Sequence, residues 1–250
     1  MKNKYRILKI AVTLVILAFL LNFSLKRFNE MAMPPIDIRM LQGATPVYFV
    51  DEKDIVKLVN QANPTNKVGD IDIPKLERSI KALEAVDSAN VYLSLDGILH
   101  LDIKQRIPIF RLHKGNKSWY VDEQGVAFPT QSNFAYPCML VSGNIPKEDY
   151  PQLINLIKTI NQDSFSKQFF IGISKYKNDY NLVTDNGNYK VEIGDLDHID
   201  FKIKGFKTFV EKYLVYQSPE KYSKISVKYD NQIVTTLNPR YKEQKETTEN

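Results

Sequence analysis

The chain of 250 residues has 34 Lys and Arg against 29 Asp and Glu, a formal charge of +5, and 43% hydrophobic residues. That balance suits folded polypeptide and argues against a disordered chain. Six of the 34 bases (Lys2, Lys4, Arg6, Lys9, Lys26, Arg27) precede the first acid, Glu30; the other 28 meet all 29 acids, so residues 28–250 carry −1 and give a nucleic acid no electrostatic footing.

The surplus charge flanks one apolar run. Ile10–Leu25 is free of charge and interrupted only by Thr13, Asn22 and Ser24. Counted from Ile7 it gives about 28 Å of helix at about 1.5 Å per residue, close to the hydrocarbon thickness of a bilayer. Lys9 can reach the headgroups from near the end of the span. Four bases before the run and two after it predict a cytoplasmic N-terminus, with the remainder of the chain in the periplasm or outside. A cleavable signal peptide shares the basic start and apolar core. It needs small residues after the core, and Asn22-Phe23-Ser24-Leu25-Lys26-Arg27 has none suitably placed. The uncleaved anchor is the better reading.

A spacer ends at Pro34-Pro35, and Ile36–Met40 alternates as a short strand. Asp51 caps a predicted helix over Glu52–Gln61, with Ile55, Val56, Leu58 and Val59 on one face. Pro74 opens a second helix, with Leu76, Ile80, Leu83 and Val86 at helical spacing. Val91–Leu95, the turn Asp96-Gly97 and Ile98–Arg106 form a hairpin. Strand, helix, helix, strand, strand is a compact α+β module resembling a POTRA domain. Beyond Pro108, short strands are expected at Ile109–Leu112, Trp119–Val121, Val126–Phe128 and Met139–Ser142. A helix follows over Asp149–Asn161, then strands at Phe169–Ser174, Tyr180–Thr184 and Tyr189–Ile193, the last two turning through Asp185-Asn186-Gly187-Asn188. Asp197 is the expected cap of another helix through Phe201, Phe206, Phe209, Val210 and Tyr213, which Gly205 weakens. The final strand is Ile225–Tyr229, turning at Asp230-Asn231 into Gln232–Leu237, and Lys242–Asn250 reads as a polar frayed tail. The second domain is β-rich and mixed, with two helices.

Several segments together resemble the bacterial cell-division family FtsQ, called DivIB in some lineages. They are Gln105-Arg106-Ile107-Pro108-Ile109, Trp119–Pro129 (Trp-Tyr-Val-Asp-Glu-Gln-Gly-Val-Ala-Phe-Pro), Tyr136-Pro137 with Met139-Leu140-Val141-Ser142-Gly143, and Ile225–Val234. Ser226 stands where the family has an acid, Lys228 where it has Arg, and the family's long cytoplasmic leader is nearly absent. The resemblance implies a tail at 1–6, a transmembrane helix at 7–25, a linker at 26–35, a POTRA domain at 36–106, a β domain at 107–240 and a disordered tail at 241–250. It also implies a non-enzymatic scaffold of the divisome in the inner membrane, concentrated at the septum and without cofactor. Its partners would be FtsB-like and FtsL-like single-pass proteins and other divisome components, and the complex would help regulate septal peptidoglycan synthesis.

The resemblance points to the terminal strand as the binding edge, placing the site at Ser226, Val227, Lys228, Tyr229, Asp230, Asn231, Gln232 and Ile233. An outermost strand leaves N–H and C=O groups open to a partner strand. Alternation puts Ile225, Val227 and Tyr229 on one side and Ser226 and Lys228 on the other. The same apolar residues serve equally well as core. An envelope-assembly or lipopolysaccharide-transport adaptor shares the layout and is the alternative function; it would expose an apolar groove where a scaffold exposes a strand edge.

Catalytic motifs are not evident. His100, His113 and His198 are isolated, and Asp195, Asp197 and Asp200 lack the glycine and terminal glutamate of a calcium loop. Asp122-Glu123 sits in a turn with Gly125, and Ser142-Gly143 lies in no hydrolase or transpeptidase context. Cys138 is the single cysteine, so neither an intrachain disulfide nor a Cys-based metal site can form.

Overall fold

The computed structural model describes residues 2–41, 43, 46–185, 189–218 and 220–241. Most of the expected turn after Asp185, and the tail from Lys242, lie outside the described residues. The chain forms two compact units, Met1–Arg106 and Ile107–Asn250.

In the first unit, helix α1 (Lys2–Asn29) continues four residues past the apolar run. It is long and apolar enough to cross a membrane, and from Ile7 to Leu25 its large side chains point outward on every side, as a helix solvated by lipid requires. The rest is a three-stranded sheet packed against two amphipathic helices. Strand β1 (Asp37–Leu41) pairs in parallel with β3 (Leu99–Gln105), and β2 (Val86–Leu93) pairs antiparallel on the other side of β3. Helices α2 (Glu52–Ala62) and α3 (Ile73–Lys81) bury Ile55, Val59, Leu76 and Ile80 against Val91, Leu99, Leu101 and Ile103. Asp51 and Asp72 cap the two helices, accepting from the N–H groups of Lys53 and Lys75 at 2.9 Å. Val86, expected on the second helix, opens β2 instead and is buried there opposite Gln105. Gln105 is itself buried: its Oε1 accepts from Phe49 and Val50 N–H at 2.7 and 2.8 Å, and its Nε2 donates to Val47 O. One amide thus satisfies three backbone groups that an apolar side chain would strand.

The second unit is a nine-stranded sheet in the order β12-β11-β10-β9-β8-β7-β4-β5-β6. Its strands are β4 (Pro108–Lys114), β5 (Lys117–Asp122), β6 (Ala127–Pro129), β7 (Met139–Ser142), β8 (Phe170–Tyr176), β9 (Asp179–Thr184), β10 (Lys190–Gly194), β11 (Tyr222–Ser226) and β12 (Val234–Leu237). Burial alternates along them: Tyr180, Leu182 and Thr184 are buried on β9, with Asp179, Asn181 and Val183 less so. One face is therefore covered. The cover is α4 (Tyr150–Gln162), whose Leu153, Leu156, Ile157 and Ile160 are fully buried, and α6 (Ile199–Lys212), which buries Ile199, Ile203 and Phe206.

A further helix, α5 (Ser164–Phe169), fills the stretch between the expected helix and the expected strand at Phe169, where no element was assigned. Asp163 makes it possible. One carboxylate oxygen accepts from Ser166 N–H at 2.9 Å and Oγ at 2.7 Å, while the other takes Lys207 Nζ of α6 at 2.6 Å. The Lys207 ammonium first, and then the two Ser166 donors, hold this carboxyl down to about 2 from an ordinary 3.8. A lowered acid contributes stability that is complete above its unfolded value and is lost as pH falls through the folded one. Asp163→Ala is thus expected to cost about 1 kcal/mol near neutral pH, the usual cap effect with a partly exposed ion pair discounted. The gap from wild type should close as pH falls from about 4 to about 2. Urea unfolding of the full chain in detergent across that range reads both effects.

Candidate functional site

At one end of the nine-stranded sheet, β11 lies between β10 and β12. It pairs in parallel with β10 (Val191 opposite Ile225) and antiparallel with β12 (Ser226 opposite Val234). The expected edge at Ile225–Tyr229 is therefore corrected. Pairing with both neighbours ends at Ser226; the Val227 N–H still donates to Glu192 O at 2.9 Å, and the chain then leaves the sheet to return as β12. The outermost strand is Val234–Leu237, and among the described residues nothing pairs with its outer side.

Backbone alternation fixes which groups are open. Asn238 N–H donates to Lys221 O, placing the even-numbered residues of β12 toward β11. Thr235 then presents its N–H and C=O outward and Leu237 its N–H, while the Leu237 carbonyl accepts from Ser223 Oγ of β11 at 3.3 Å. Val234 and Leu237 are 42% and 60% exposed, one on each face of a strand with open hydrogen-bonding groups.

The connection 227–233 is held in shape by its first residues. Lys228 Nζ donates to both carboxylate oxygens of Asp179 at 2.8 and 3.0 Å, and its stem lies over Gly194, where a β-carbon would stand 2.6 Å from Lys228 Cγ. That carboxylate raises the Lys228 ammonium above its ordinary value. Asn231 turns the chain at φ 59°, a left-handed conformation that Asn tolerates.

Between this connection and the outer side of α6 runs a groove of about 560 Å³. Phe201, Gly205, Phe209 and Tyr213 form one wall, spaced four residues apart on the helix; Val227, Tyr229, Gln232 and Ile233 form the other, and Lys204 and Lys212 border it. Tyr213 and Tyr222 share a hydroxyl contact at 3.2 Å, and burial chiefly pushes the Tyr222 phenol up to about 12, so it stays neutral.

Of the eight predicted site residues, Val227, Tyr229, Asn231, Gln232 and Ile233 line the groove. Ser226, Lys228 and Asp230 do not: Ser226 is buried with its Oγ unbonded, Lys228 is tied to Asp179, and Asp230 is exposed in the turn. Ile225 and Val227 are 0% and 5% exposed, so for them the core reading is correct; Tyr229 is 48% exposed. Sequence reasoning placed Phe201, Phe209 and Tyr213 on one helix but did not identify them as a groove wall. The core stripe is Ile199–Ile203–Phe206, and the aromatics form a second stripe beside it. Asp197 does not cap α6 either; His198, at φ 53°, is the capping residue and contributes no side-chain bond.

The residues weighed for catalysis stay apart. His100 Nδ1 meets Asp37 at 2.8 Å in the first sheet, and its ring stacks on Tyr92. Asp122 accepts from the N–H groups of Gln124 and Val126, closing its own turn. Burial pushes the Cys138 thiol up to about 11, leaving it protonated and poorly nucleophilic. Among the described residues, no group of three or more His, Cys, Asp and Glu is placed to hold a metal.

The family model described as FtsQ/DivIB, C-terminal related, matches residues 107–236, from the first strand of the second unit to the outermost one. The chain belongs to this family. FtsQ/DivIB proteins are cell-division scaffolds, and the groove and open edge both lie within the matched segment or at its end. Among solved structures, the chain is similar to the major extracytoplasmic domain of the trans isomer of the bacterial cell division protein DivIB from Geobacillus stearothermophilus, with 11% identity and a TM-score of 0.32, covering 46% of this chain and 98% of that one. Nothing among curated proteins matches.

Proposed function

We propose that this FtsQ/DivIB-family chain is a non-enzymatic, single-pass scaffold of the divisome. The N-terminus lies in the cytoplasm, residues 36–106 act as a POTRA module and residues 107–240 form the partner-binding β domain. The partner is a single-pass division protein of the FtsB or FtsL kind. It adds a strand to β12 and lays an apolar side chain or short helix in the groove beside Tyr229. The complex sits in the inner membrane at the septum and helps regulate peptidoglycan synthesis.

The observation that carries this reading is the coincidence of two recognition features at one place. The outward N–H and C=O of Thr235 and the N–H of Leu237 supply generic strand pairing, and the aromatic groove supplies selectivity. Tethering both partners in one membrane raises their effective concentration, so four residues of strand and one groove suffice.

Photo-reactive residues at Tyr229, Thr235 and Leu237 in growing cells are expected to capture a small coiled-coil division protein, whereas the same group at Lys190 or His113 should not. Capture of lipid or glycan at the groove positions would instead favour the envelope-transport adaptor.

A further inference from the structure

The chain leaving α1 is fastened to the first unit. Val68 N–H donates to Met31 O at 3.0 Å, and Met33 N–H donates to Asn66 O at 2.9 Å. Between them Ala32 and Lys67 form an antiparallel bridge. Two glycines permit this approach. A β-carbon at Gly69 would stand 2.6 Å from Asn29 Cβ and 3.0 Å from its Cα, and one at Gly97 would overlap Met31 Cε. Gly97, at φ 85°, closes the turn that joins β2 to β3, and its N–H donates to Ser94 O.

The end of the anchor thus touches the tip of the β2–β3 hairpin. At that tip Leu95 is 98% exposed, while Val91, Leu99 and Leu101 behind it are buried. A lone exposed leucine is ordinary on a soluble surface. Its position is what distinguishes it. Strands β1 and β3 start together, Asp37 beside His100, and run away from this end in parallel. From Leu25 to Asn29 the helix climbs about 6 Å. The headgroup layer is about 5–7 Å deep on each side of the hydrocarbon. Asn29 and the Met31–Gly97 contact accordingly lie at the outer limit of the headgroups, with Leu95 two residues away.

We infer that Leu95 rests in the lipid headgroup layer beside the exit of α1, making the β2–β3 turn a second membrane contact that seats the first unit on the bilayer. The occupant is lipid rather than protein because the tip adjoins the end of the apolar helix. Charges near it are mixed, with Lys26, Arg27 and Lys67 opposed by Glu30, Asp70 and Asp96, so the contact is apolar insertion and does not need anionic lipid. The inference rests on α1 spanning the membrane.

Depth-dependent quenching tests it. With Trp119→Phe removing the one tryptophan, single tryptophans are placed by Leu95→Trp, Leu17→Trp and Tyr48→Trp in the full chain, reconstituted in neutral phosphatidylcholine vesicles brominated at shallow or deep acyl positions. Tyr48 marks the opposite end of the sheet, next to the loop that Gln105 binds. Shallow bromines are expected to cut Leu95→Trp emission roughly twofold, with little effect on Tyr48→Trp. Adding anionic lipid should not alter this. Gly69→Val, which displaces Asn29, should abolish the Leu95→Trp quenching while circular dichroism and deep quenching of Leu17→Trp persist. Leu95→Trp quenched no more than Tyr48→Trp, or quenching that survives Gly69→Val in a folded chain, overturns the inference. An unquenched Leu17→Trp overturns the anchor reading instead.

Discussion

Thr235→Pro is expected to weaken binding of a strand-forming partner peptide tenfold to hundredfold while leaving the fold in place. Thr235 lies in the outermost strand with its N–H directed away from β11, by the alternation that sends Asn238 N–H to Lys221 O. Proline removes that donor and puts a ring on the edge where a new strand would lie. Losing a hydrogen bond and leaving its acceptor unpaired costs about 1–3 kcal/mol, and about 1.4 kcal/mol is tenfold in affinity. Edge strands tolerate proline where the N–H faces out, so the native fold should survive. Thr236→Pro is the counterpart: its N–H faces β11 opposite Lys224, so the substitution should loosen β12 itself. Titration calorimetry with an FtsB-like peptide and far-ultraviolet circular dichroism together read the pair. Unchanged affinity of Thr235→Pro in a folded chain would move the partner off this edge.

The binding edge was only partly legible in the sequence. The turn at Asp230-Asn231 could be read because Asn is among the few residues that accept a positive φ, and the structure has it there. The order of strands in space could not. Which of the last two strands is outermost depends on the return of α6, which brings Tyr222–Ser226 back beside Lys190–Gly194 and leaves Val234–Leu237 outside. Lys228, which period two placed on a strand, is drawn instead to Asp179, 49 residues away.

The same division between local and distant causes runs through the rest of the fold. Helix α4 was legible because one apolar stripe spans three turns, and the β2–β3 hairpin because Asp96-Gly97 specifies its turn. Helix α5 has six residues, too few to show a period, and exists by virtue of its Asp163 cap and the packing of Phe165 and Phe169. Leu83 and Val86 continue the spacing of α3, but Val86 pairs with Gln105, and sheet pairing overrides local pattern. On α6 the sequence placed Phe201, Phe206, Phe209 and Tyr213 on one helix without separating core from surface, since periodicity alone does not say how wide a helix's covered face is.

That last ambiguity sets up the largest stability effect expected in the chain. Phe206 is 1% exposed, with its ring 5.5 Å from Phe169 and 5.4 Å from Phe170, so Phe206→Ala opens a cavity beside two aromatics. Substitutions of this kind cost about 3–5 kcal/mol, a large part of a domain's usual 5–15 kcal/mol. Phe209, three residues on, is half-buried and stacks loosely on Tyr213 at 5.1 Å along the groove wall. Phe209→Ala should therefore cost less than Phe206→Ala, about 1–2 kcal/mol, because Phe209 packs on the margin of the core and keeps part of its surface in water. If the groove receives a partner's apolar side chain, Phe209→Ala should nonetheless reduce partner affinity at least about tenfold, as loss of an aromatic hot spot does. Urea unfolding of both variants in detergent, set against peptide titration, separates the two stripes of α6. A Phe209→Ala chain that loses stability like Phe206→Ala and keeps its affinity would return the whole helix to the core and leave the β12 edge to bind alone.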